Sequence, residues 1–232
     1  MTVSLAEARQ PNSRLASHFE DMGQQLESST LGMWTFLATE VMFFGGLFLG
    51  FCVYRFTDAS HGFALASRQL DITLGTFNTF VLLTSSLTMA LAVRAGQTGD
   101  RKGQVRYLIA TMILATSFLG IKSFEYYEEF EKHLFPGAHF NPAALKLPAD
   151  APATLAQHAQ LYFVFYFFMT GLHAFHMIIG IIIMGILAVQ AQRGKYTPDY
   201  FTPLELTGLY WHFVDLVWVF LFPLLYLIDL HK

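Results

Sequence analysis

Apolar residues fall into five long blocks separated by polar stretches, at 31–54, 71–93, 107–124, 160–190 and 204–229. Each is about as long as a bilayer-crossing helix, which needs roughly 20 apolar residues, and none alternates with the period of a strand. The pattern predicts an all-α polytopic membrane protein, a bundle of five transmembrane helices. Residues 1–30 are polar and read as an exposed N-terminal tail; 31–232 form the membrane domain. The tail lacks the apolar run and small-residue cleavage site of a signal peptide, so the first span is expected to serve as an uncleaved insertion signal. The fourth span would reach roughly 46 Å at 1.5 Å per residue, which requires it to tilt or project. Beyond the third span, 125–133 keeps helical composition until Pro136 and Gly137, and its acidic residues read as a solvated face at the membrane edge.

Composition agrees with this reading. Of 232 residues 54% are hydrophobic and 13% charged, where a soluble domain has about a quarter charged. A net charge of −3 is too small to point to nucleic acid. Cys52 is the single cysteine, which excludes an intrachain disulfide and a cysteine metal cluster. The basic residues Arg9, Arg14, Arg94, Arg101, Lys102, Arg106, Arg193 and Lys195 fall on one side of a five-span topology. Because short basic loops stay inside, the N-terminus is expected in the cytoplasm.

The chemistry lies in the ionisable residues within these blocks: Glu40, His173, His176, His212 and Asp215, with Lys122 and Glu125 near a boundary. Charges at this depth are costly and normally face protein or a water-filled cavity. His173 and His176 are spaced i, i+3, as are His212 and Asp215, so each pair shares a helix face. Three readings stand side by side: a buried polar network that fixes helix packing, a proton path, and a metal site built from His173, His176, His212 and Glu40. The last would make the chain a stand-alone membrane metalloenzyme. No inverted repeat suggests a carrier. The hydroxyls of the second span can bond to their own backbone, so they imply no pore. Gly46 and Gly50 form a small-xxx-small pair suited to close helix packing. Trp34, Trp211 and Trp218 read as lipid or interface positions.

Four motifs go further. Residues 34–44 read Trp-Thr-Phe-Leu-Ala-Thr-Glu-Val-Met-Phe-Phe, 124–127 Phe-Glu-Tyr-Tyr, 171–180 Gly-Leu-His-Ala-Phe-His-Met-Ile-Ile-Gly, and 210–218 Tyr-Trp-His-Phe-Val-Asp-Leu-Val-Trp. In this order they resemble subunit III of the haem–copper oxidases, over 31 to the end. The resemblance implies a short, five-helix member that carries no haem or copper of its own, those cofactors belonging to subunits I and II. It implies packing on subunit I, phospholipid binding, support of proton uptake and stability, and a bacterial inner membrane. By the same analogy Glu40 pairs with a histidine of the fourth span, His176 first, and Glu205 matches a family acidic position. The family arginine that holds a lipid headgroup aligns with Gln190; Arg193 or Lys195 is expected to replace it. Longer members have seven helices, and the first two, which wall a lipid cleft, have no counterpart here. The full Trp-His-Phe-Val-Asp run and the long loop favour a cytochrome c oxidase; a quinol oxidase or nitric oxide reductase component is the alternative.

Overall fold

The computed structural model describes residues 19–137, 140–145 and 153–227. The tail before residue 19 and the end of the fifth span beyond residue 227 lie outside the described residues. Five long helices, α1 (Met22–Thr57), α3 (Ile72–Thr98), α4 (Arg101–Glu131), α5 (Ala153–Gln192) and α6 (Thr202–Tyr226), are apolar and long enough to cross a membrane. A short α2 (Gly62–Ser67) lies between α1 and α3, and a 3₁₀ turn (Pro142–Leu145) precedes α5. The chain is an integral membrane protein with an all-α fold.

The α1 and α4 helices run past their apolar blocks at the start because polar caps, not the bilayer, set those ends, and α3 is capped in the same way where its block begins. Asp21 accepts the Gln24 amide at 2.7 Å and starts α1 within the stretch expected to be tail. Asp71 accepts the Thr73 and Leu74 amides, and Asp100 accepts that of Gly103. Such caps satisfy orphan amides and carry a negative charge at the positive end of the helix. Between α3 and α4, Gly99 adopts φ +73° and closes the α3 terminus, a conformation glycine reaches without strain.

The α6 helix is the hub: 56% of its most apolar window is buried, against 17% for α1. It packs on α3 and α5, and α4 completes the four-helix core by contacting α3 and α5. The α1 helix leans mainly on α5 and α6 and buries one residue every two turns, Leu37, Phe44 and Phe51. The glycine pair on α1 is not a packing seam. Gly46 faces open space and Gly50 has only Phe165 at 3.8 Å from a would-be Cβ. Close helix approach occurs at Gly180 instead, where a Cβ would stand 2.7 Å from the Trp211 ring.

A clasp outside the membrane ties the α1–α2 loop to α5. Asp58 Oδ1 accepts the Ser60 hydroxyl at 2.5 Å and the Ser60 amide at 3.0 Å, and Oδ2 accepts the Phe63 amide at 2.8 Å. His158 Nδ1 lies 2.8 Å from both Asp58 Oδ1 and Ser60 Oγ. Since the Ser60 proton goes to Asp58, the imidazole N–H is the donor to this pair. Burial pushes the Asp58 carboxyl up, but the Ser60 hydroxyl, the Phe63 and Ser60 amides and the His158 charge together hold it below its ordinary value. The clasp therefore contributes fully above the unfolded-state pKa and is lost as pH falls through the lower folded value. Amide exchange at Phe63 is expected to accelerate over that acid range. Asp58→Asn should already exchange fast at neutral pH; an unchanged rate in the variant would show that the clasp does not hold the loop.

Candidate functional site

The hydroxyl-rich α3 and the tryptophans of α6 explain one another. Thr79 and Ser85 donate to the Gly75 and Leu82 carbonyls at 2.8 Å. Their lone pairs then accept the indole N–H groups of Trp218 at 3.0 Å and Trp211 at 3.1 Å. Both rings are fully buried, so they are core residues and not lipid or interface anchors. At the adjoining residue of each helix, Ser86 Oγ meets His212 Nδ1 at 2.6 Å. This ladder fixes the register of antiparallel α3 and α6.

Glu40 and His176 meet between α1 and α5. Their Oε2 and Nε2 atoms are 3.2 Å apart, with side chains 18% and 13% exposed. The contact lies outside hydrogen-bond geometry, and that oxygen has no other partner. The His176 Nδ1 lies 2.8 Å from the Leu172 carbonyl, which can only accept, so Nδ1 carries a proton. Phe44 presents its edge to the imidazole, with centroids 5.4 Å apart.

His173, one turn before His176, goes elsewhere. It is buried between Phe118 and Trp218, with ring centroids at 5.7 and 5.3 Å, and neither nitrogen has a partner. Asp215 is also buried, with both oxygens unpartnered. Of the two residues that share this face of α6, His212 has a hydrogen-bond partner and Asp215 has none. The four residues of the metal reading are not gathered, and no group of three or more His, Cys, Asp or Glu could hold a metal among the described residues.

The most complete polar cluster was not anticipated. Lys122 Nζ donates to Glu125 Oε2 at 3.1 Å, Tyr166 at 3.0 Å and Tyr226 at 2.8 Å. Tyr166 donates to Glu125 Oε1 at 2.8 Å, and Tyr226 makes a short bond to the same oxygen. All three ammonium protons are used. The cation also sits 5.4 Å from the Trp218 ring centroid. Glu125 and Glu129 are both buried, so the acidic run of α4 presents part of itself to the core, in place of a wholly solvated face. The Lys122–Glu125 spacing of i, i+3 was the available signal. Its tyrosine partners lie 44 and 104 residues downstream, which spacing alone does not reveal.

Trp34, Arg193 and Glu205 are exposed. Lys195 donates to Gln190 Oε1 at 3.2 Å, as does Tyr196 at 2.5 Å. Near the cytoplasm-predicted ends of α3 and α6, Arg94, Gln97, Glu205 and His212 line an open cleft of about 450 Å³.

The sequence model described as cytochrome c oxidase subunit III matches residues 17–132 and 148–229. A protein of Bacillus spizizenii named quinol oxidase subunit 3 is 32% identical over 86% of this chain and 87% of its own. A probable cytochrome c oxidase subunit 3 of Nocardia farcinica is 29% identical with the same coverage. The cytochrome c oxidase subunit 3 of Arabidopsis thaliana is 30% identical over 84% of this chain but 66% of its own length.

Proposed function

Because the chain belongs to the cytochrome c oxidase subunit III family, we propose that it serves a proton-pumping cytochrome c oxidase as a subunit without redox centres. In this reading it packs on subunit I, binds phospholipid and supports proton uptake and the integrity of the enzyme. Haem and copper reside in subunits I and II, and the complex lies in a bacterial inner membrane with this N-terminus in the cytoplasm, as the basic α3–α4 and α5–α6 connections favour. The observation that carries the reading is the way its buried polar groups are used. Glu40 meets His176 across α1 and α5, Ser86 meets His212 across α3 and α6, and Lys122 joins α4, α5 and α6. Such groups hold helices in register, which suits a supporting subunit.

A second reading, the same role in a quinol oxidase, is favoured by the Bacillus relatives at 32% identity. A mild-detergent pull-down of the tagged chain separates the possibilities. Haem absorbance with large oxidase subunits is expected, and reduction of that haem by cytochrome c or by quinol distinguishes the donors. A colourless chain that purifies alone would overturn both.

A further inference from the structure

The α3 and α6 helices approach closely at Gly208, where a Cβ would stand 2.9 Å from Val93 Cγ2. Beside this approach the helices leave the cleft of about 450 Å³ described above, within the roughly 300–1,000 Å³ of ordinary ligand sites. Its lining is graded. Ala90, Val93 and Leu209 form apolar walls; Arg94, Gln97 and Glu205 occupy the end nearest the connection between α3 and α4. His212 also lines it, its Nδ1 held by Ser86.

Arg94 and Glu205 carry opposite charges on facing helices, yet neither makes an ion pair or side-chain hydrogen bond among the described residues. Two opposite charges held apart over an apolar groove match an occupant with the same two charges in reverse and an apolar tail. We infer that this cleft seats an aminophospholipid, with its phosphate on Arg94, its primary ammonium on Glu205 and an acyl chain along Ala90, Val93 and Leu209. Guanidinium suits phosphate because its planar fork donates two parallel N–H bonds. An anionic headgroup leaves Glu205 facing like charge. A quaternary ammonium brings the charge without a proton for the carboxylate. The cleft thus selects phosphatidylethanolamine over both phosphatidylglycerol and phosphatidylcholine. This deepens the lipid-binding part of the proposed function, but its test does not need an oxidase partner.

The test is native mass spectrometry of the purified chain, with whatever partners it retains, exchanged into micelles holding each of the three lipids in turn. One phosphatidylethanolamine is expected to stay bound, at least roughly tenfold more tightly than phosphatidylcholine, the scale of one charge-assisted hydrogen bond. Glu205→Gln should erase that preference and keep phosphate binding. Arg94→Gln should release all three lipids, and Arg94→Lys should restore part of the retention, which separates a lost contact from a lost fold. Equal retention of the three lipids by the unaltered protein, or a preference that survives Glu205→Gln, overturns the proposal. So does a photoactivatable probe on Gln97→Cys that crosslinks to a protein helix and not to lipid.

Discussion

Replacing Lys122 with Met destabilises the chain by roughly 3–5 kcal/mol, the cost of leaving one member of a buried ion pair without its partner. The Glu125 carboxylate then keeps the Tyr166 and Tyr226 hydroxyls but loses the only cation within the cluster. Detergent-titration unfolding, followed by tryptophan fluorescence, reads the loss directly because Trp218 lies beside Lys122. The double variant Lys122→Met, Glu125→Leu should recover most of it, since a buried pair and an apolar pair of similar volume are often equivalent. A single variant with unaltered unfolding would show that Glu125 is held by the tyrosines alone.

Trp211→Ala gives the second large effect, at most roughly 3–5 kcal/mol, the range for removing large aromatic residues from water-soluble cores. Part of that range is transfer from water. In lipid the loss falls on packing, which is what drives helix association there. The indole covers Gly180 on α5 and bonds Ser85 on α3, so its removal opens two helix interfaces at once. Trp211→Phe isolates the hydrogen bond, with an expected cost of about 1 kcal/mol. The same unfolding titration reads both. An alanine variant as stable as the phenylalanine one would mean that the ring contributes little packing.

The helices were legible in the hydropathy pattern because lipid imposes one requirement on every span, satisfied backbone within an apolar coat. Their ends were not. Hydropathy reports the bilayer, whereas Asp21 and Asp100 continue or begin helices in water by capping amides. The short α2 was hidden for a related reason: it sits in a stretch read as a polar loop, and its docking depends on His158, almost a hundred residues away. The tryptophans misled because Trp is common at membrane edges. Nothing local shows that Thr79 and Ser85 will meet the indole N–H groups of Trp218 and Trp211. The polar residues inside spans were easy to find, but their partners depend on helix rotation. His173 and His176 stand one turn apart and still face different neighbours.

The sparse seam of α1 bears on how the protein is made. This helix is synthesised before α5 and α6, yet its main contacts lie on those two, about a hundred residues or more later in the chain. Domains and their parts assemble as the chain is delivered, so α1 waits in the bilayer, a lone span whose Glu40 has no imidazole beside it. The α3–α4 hairpin forms meanwhile from neighbouring segments, and α5 and α6 dock on it in turn. Only then do Leu37, Phe44 and Phe51 find their places. A helix inserted before its main partners is thus fitted only after them, and until then its apolar face is open to any chaperone or partner that acts during biogenesis.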